Sequence, residues 1–200
     1  IDTFYHFDHS FRVLNGEYPI KDFWVVSGIF VDYLGSLFFY IFGSSWSSYV
    51  IHSSFINGLV TIFTYFTIRS FKLQKIYSFL YSILFGILAY TPSGTPFADH
   101  HSTLLSMLGV YCFILAINKN KNYYWIFMPI LLGLAFLSKQ VPAAYIITTL
   151  TIVTIFYSFI KKEFNPIKYS IIGSLIFLIS VFLVGFIQEI SLTQFLLQYI

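Results

Sequence analysis

Apolar runs about as long as a bilayer is thick, cut at intervals by short basic turns, constrain this chain more than any other feature. About 20 consecutive apolar residues in helical form span a hydrocarbon core. Such runs fall at about 48–68, 76–91, 102–118, 123–138, 141–160 and 167–188, and another begins near 191. Between them lie RSFKLQK, NKNKN and KKEFNPIK, which carry eight of the eleven basic residues. Lys and Arg in short loops stay on the cytoplasmic side. Consecutive basic turns are two spans apart, so Arg69, Lys72, Lys75, Lys119, Lys121, Lys161, Lys162 and Lys168 share one side. The expected fold is therefore all-α: a polytopic transmembrane helix bundle.

Composition agrees. The chain is 58% hydrophobic and 10% charged, against about 25% charged in a soluble domain. A dispersed net charge of +3 gives no basic patch for nucleic acid. Cys112 is the single cysteine, so no internal disulfide can form. The many Phe and Tyr residues read as lipid and helix contacts. The chain starts in a polar segment without Met and stops inside an apolar run, which reads as an internal piece of a longer protein.

Seven of the eight acidic residues fall opposite the basic turns, or in the stretch 29–43 beside that face. Asp2 and Asp99 can share a side only if 29–43 (IFVDYLGSLFFYIFG) does not cross. Asp32 and Gly35 interrupt that stretch, so it is expected to lie in the interface as a juxtamembrane helix. The expected organisation is one domain, with 1–47 as a polar first outer loop ending in that helix and 48–200 as transmembrane helices. The alternative is that 29–43 spans and the amino-terminal loop is cytoplasmic.

Ionisable groups beside lipid are costly and tend to be functional. Asp99-His100-His101 stands at the foot of an apolar helix, after the turn Thr91-Pro92-Ser93-Gly94-Thr95-Pro96. An N-cap role for Asp99 or Ser102 explains one of these groups; it does not explain two histidines. Carboxylate and imidazole are also metal ligands, although adjacent helical histidines diverge by about 100°. A divalent ion on Asp99 and His100 is thus left open, and no cofactor is firmly indicated. Lys139-Gln140 lies in an outer turn. Lys139 reads either as a lysine reaching for the interface or as a cation for an anionic ligand. His6, Asp8, His9 and Asp22 read as a solvated segment, and His52 as a satisfied polar residue.

Asp2, Phe4-Tyr5 and LNGEYPIKDFW (14–24) together resemble the opening of the first outer loop in the GT-C superfamily of membrane glycosyltransferases. The most similar branch contains protein O-mannosyltransferases and lipid A aminoarabinose transferases. Its acidic residue precedes a Gly-Glu/Asp turn by about 14 positions, as Asp2 precedes Gly16. The family's juxtamembrane helix ends in Phe-Gly, here Phe42-Gly43. Its second acidic residue corresponds to Asp99, and its Gly-Leu-Ala-x-Leu-Ser/Thr-Lys helix end to Gly133–Lys139. One departure is Val26-Ser27-Gly28, where many members carry Lys-Pro-Pro.

The resemblance implies inverting transfer of a sugar from a polyprenyl-phosphate donor to an unidentified acceptor (protein, lipid or glycan). It implies Asp2 as general base with Asp99 as the second catalytic carboxylate. His100, His101, Lys139 and Gln140 are then donor-phosphate or substrate-binding candidates. In a bacterium the site would face the periplasm from the inner membrane. The rival readings are a multi-pass transporter or flippase, which would favour charges near the membrane midplane, and a non-catalytic scaffold.

Overall fold

A computed structural model describes residues 2–91 and 94–199, with the side chains of Asp2 and Thr3 outside the description. Among the described residues there are nine helices and no strand: α1 (Asp2–Leu14), α2 (Ile29–Phe42), α3 (Trp46–Ser70), α4 (Lys75–Leu88), α5 (Ala98–Lys119), α6 (Asn122–Ser138), α7 (Gln140–Lys161), α8 (Asn165–Ile187) and α9 (Leu192–Tyr199). Four of them, α3, α5, α7 and α8, are long and apolar enough to cross a membrane. Helices α4 and α6 are shorter, at 14 and 17 residues, but they run antiparallel to their neighbours and complete the up-and-down order.

Side-chain contacts fix the two ends. Asn118 at the end of α5 donates to Ser70 at the end of α3, and Trp125 at the start of α6 packs on Tyr157 near the end of α7. The three basic turns therefore share one end of the bundle. At the other end Tyr49 of α3 reaches Pro96, Ser102 of α5 donates to the Lys139 carbonyl, and Gln140 donates to Val26.

Helix α2 lies across this second end. At its start Gly28 adjoins His6; after its end Gly43 accepts from Ser48 at the head of α3. Fourteen residues make about 21 Å of helix, short of a core about 30 Å thick.

Small residues allow close helix packing, which lipid-solvated helices need because burial of apolar surface gives little drive in lipid. A Cβ on Gly109 would meet Leu132, one on Gly133 would meet Phe177, and one on Gly173 would meet the Ile126 carbonyl and Pro129. These contacts seat α6 between α5 and α8. The core joins Ile56 and Val60 of α3 to Leu104, Leu105 and Leu108 of α5, Ala135 of α6 and Ala143 of α7. Large apolar side chains such as Ile76, Phe79, Leu175, Phe182 and Phe186 face outward, as lipid permits.

Most of the helices expected from sequence form, with two differences. The segment expected as solvated loop contains α1, thirteen residues long. Helix α5 starts at Ala98, so Asp99-His100-His101 occupies its first turn rather than preceding it.

Candidate functional site

All five histidines of the chain, at 6, 9, 52, 100 and 101, gather at the end that carries α1. On α1, His6 and His9 are three residues apart and share one face. Both point at Asp32 of α2, whose carboxylate has no exposed surface. Oδ1 accepts from His6 Nδ1 at 2.7 Å and Oδ2 from His9 Nδ1 at 3.1 Å. Among the described residues these imidazoles are the only groups within ion-pair reach of Asp32. One turn on, Gly35 lets Ser10 approach α2, and a Cβ at Gly35 would strike Ser10 Oγ. Ser10 itself donates to the His6 carbonyl at 2.6 Å. Burial first, then the negative charge of Asp32, pushes the Tyr5 phenol up.

A second buried pair joins α3 to α5. His52 and His101, both without exposed surface, meet Nε2 to Nε2 at 3.0 Å. His101 Nδ1 lies 3.1 Å from the Phe97 carbonyl. A carbonyl only accepts, so that nitrogen carries the proton. In a neutral ring His101 Nε2 is then an acceptor, and His52 Nε2–H donates to it. His52 Nδ1 is left as a buried lone pair without a partner among the described residues, facing Gly35.

The expected site residues divide between surface and interior. Asp2 opens α1, but its side chain lies outside the described residues, as do Pro92 and Ser93 of the turn. Asp99 and Lys139 form an exposed ion pair, with Nζ 2.7 Å from the carboxylate. Asp99 stands in the first turn of α5, where the helix dipole favours a negative charge; the N-cap is Phe97 and makes no side-chain cap. Lys139 is held in extended backbone between α6 and α7.

His100 is half-buried. Its Nε2 faces the Ala89 carbonyl at 2.6 Å, and its Nδ1 has no partner among the described residues. His101 is enclosed, with both ring nitrogens engaged inside the protein, so it presents no surface to a donor phosphate in this conformation. Gln140 donates to the carbonyls of Val26 and Tyr199 at 2.8 and 2.5 Å, tying the amino-terminal segment and α9 to the head of α7. Asp8 and Asp22 are exposed, and Asp22 accepts from the Tyr18 backbone.

Among the described residues no group of three or more His, Cys, Asp or Glu is arranged to hold a metal ion. Asp99 is engaged by Lys139, and His100 Nε2 by the Ala89 carbonyl. In the His6–Asp32–His9 group the carboxylate oxygens are already taken up by the two Nδ1 atoms.

Beside the Lys139 turn an apolar groove of about 1200 Å³ runs between α2, α6, α8 and α9. Phe30, Leu134, Leu137, Phe177 and Phe195 are among its lining residues. Its polar lining includes Tyr33 and Gln188, whose Oε1 accepts from the phenol at 2.5 Å. Burial pushes the Tyr33 phenol up to about 12. Lys21 and Glu189 pair at 2.8 Å on the same side.

His6, His9, Asp32 and His52 were not expected in a site. The available signal was the matched i, i+3 spacing of His6/His9 and Asp32/Gly35, which lets one face of α1 lie on one face of α2.

A family model described as dolichyl-phosphate-mannose-protein mannosyltransferase matches residues 26–185. No curated protein and no solved structure matches the chain.

Proposed function

The chain belongs to the dolichyl-phosphate-mannose-protein mannosyltransferase family, and on that premise we propose that it transfers a sugar from a polyprenyl-phosphate donor to an acceptor hydroxyl or amine at the α1 end of the bundle. The family is one of glycosyltransferases using lipid-linked sugars. The four long apolar helices agree with a multi-pass integral membrane protein. With the basic turns cytoplasmic, the α1 end faces outward, toward the periplasm in a bacterium.

The observation that carries the reading is that the exposed Asp99–Lys139 pair lies at the same end of the bundle as an apolar groove lined in part by Leu137, two residues before Lys139. A lipid-phosphate donor needs both: a cation for its phosphate and a greasy channel for its tail. In this reading the isoprenoid lies in the groove along α6 and α8. Lys139 moves from Asp99 to the phosphate and stabilises the charge that grows on it as it leaves. Asp99, released, orients the acceptor. Asp2 takes the acceptor proton as its oxygen or nitrogen attacks C1. The C1–phosphate bond breaks on the opposite face, the lipid phosphate departs with the electron pair, and the anomeric centre inverts. His100 and Gln140 set the shape of the mouth. His101 acts on it through the α5 turn.

The test is transfer from dolichyl-phosphate mannose by the full chain in nanodiscs. Asp2→Asn should lower kcat by about 10²–10⁴-fold, the range for loss of a general base. Lys139→Met should raise the donor KM and lower kcat. Transfer at wild-type rate in both variants would refute the assignment of roles.

A further inference from the structure

We propose that Asp32 is a positioning residue for this transfer: by gripping His6 and His9 together it fixes the rotation of α1 about its axis, and with it the place of Asp2. The proposal rests on the reading of Asp2 as the base.

A carboxylate without exposed surface is costly to keep. Replacing a buried ionic group with apolar side chains often leaves stability unchanged or improves it, so stability alone does not account for Asp32. The geometry here is specific. Two donors on successive turns of α1 meet the two oxygens of one carboxylate, at 2.7 and 3.1 Å. An ionised carboxylate only accepts, so both rings must present Nδ1–H. Phe7 of α1 also packs on Phe39 and Tyr49, but two hydrogen bonds to one carboxylate add a directional restraint on the roll of the helix that a single bond would not. Gly35 adds a close approach at Ser10, one turn further along. Asp2 lies four residues before His6, one turn back on the same face. A roll of α1 by one residue, about 100°, would carry Asp2 off that face. An error of about 1 Å at a reacting group can cost about 10²-fold.

Among the described residues the other titratable groups that face this centre include Tyr5 on α1, Tyr33 on α2, Tyr49 and His52 on α3, His101 on α5 and Tyr199 on α9. None of them is a fixed cation, so among the described residues the two imidazole N–H groups are what holds the carboxylate.

The experiment pairs a distance with a rate, on the full chain in nanodiscs. Spin labels replace Phe4 and Thr103, both exposed, and report the placement of α1 against α5. Asp32→Asn should broaden or shift that distance distribution by more than 3 Å. It should also lower kcat for transfer from dolichyl-phosphate mannose at least 30-fold, with the donor KM within threefold of wild type. Should Asp32→Asn fail to fold, the His6 pair decides. Asn can place an amide N–H near the position of Nδ1, so His6→Asn should keep at least five times the rate of His6→Leu.

An unchanged distance distribution in Asp32→Asn overturns the proposal, whatever the rate. So does a shifted distribution with a wild-type kcat while Asp2→Asn is inactive, an outcome that leaves the functional reading intact. Equal rates for His6→Asn and His6→Leu overturn it as well. If Asp2→Asn transfers normally, the reading of Asp2 as base fails and the role of Asp32 in transfer falls with it.

Discussion

Replacing His101 with leucine removes one partner of a buried pair and leaves the other in place. His52 Nε2–H then has no acceptor, in a ring whose Nδ1 lone pair already has no donor among the described residues. An unmade buried hydrogen bond costs about 1–3 kcal/mol, more than the bond contributes when made. Hydrogen bonds between helices in lipid average only about 0.6 kcal/mol, because the unfolded helices also find partners. This pair, however, is enclosed by protein, with no exposed surface on either ring. The single change should therefore cost about 1–3 kcal/mol, toward the upper part of that range if no water enters. His52→Leu should cost a similar amount: it strands the His101 acceptor and removes the ring stacked on Phe38 at 5.2 Å. The stacking term occurs in both legs of a double-mutant cycle and cancels. The double replacement leaves neither group stranded, so it should be less destabilising than the sum of the singles by about 1–2 kcal/mol, within the usual range for contacting residues. Reversible unfolding of the four proteins in mixed micelles with increasing SDS measures this. Additivity within about 0.5 kcal/mol would refute the tautomer chain Phe97–His101–His52.

Other expectations follow from single contacts. Gly35→Ala should lower stability by about 1–3 kcal/mol, because its Cβ meets Ser10, whereas Gly58→Ala, where nothing lies within 4 Å, should be tolerated; thermal midpoints compare them. Gly173→Val should separate α6 from α8, because its Cβ meets a backbone carbonyl, and detergent-resistant folding should fall. Glu189 is held below the ordinary carboxylate range by the hydrogen bond from Lys21 and then by its charge. The contact should therefore be complete above the ordinary Glu range and be lost as pH falls through the depressed value. A carbon-detected NMR titration should show that depressed midpoint, and Lys21→Met should return it to normal.

The spans were legible because lipid makes a strong and simple demand: each crossing must be apolar along its length and must end where basic residues can stay in water. The runs later seen as α3 and α5–α8 therefore stand out without any knowledge of their neighbours, and the basic turns give their common end. Asp99 and Lys139 were legible for a related reason, since charges at the ends of apolar helices are conspicuous. Helix α1 was hidden because the face it buries is made of His6, His9 and Ser10, which carry no apolar periodicity. Asp32 and Gly35 were visible as interruptions of an apolar stretch and read as signs of an interfacial helix. The structure gives them another reason: one accepts two imidazoles and the other clears space for α1. Their partners lie 26 and 25 residues away in the chain, at His6 and Ser10. Pairing of His52 with His101, 49 residues apart, was hidden in the same way. A local pattern shows which residues avoid water or lipid. Which polar group satisfies which other, once both are enclosed, is decided only when tertiary packing brings distant segments within about 3 Å, because a buried hydrogen bond depends on distance and direction.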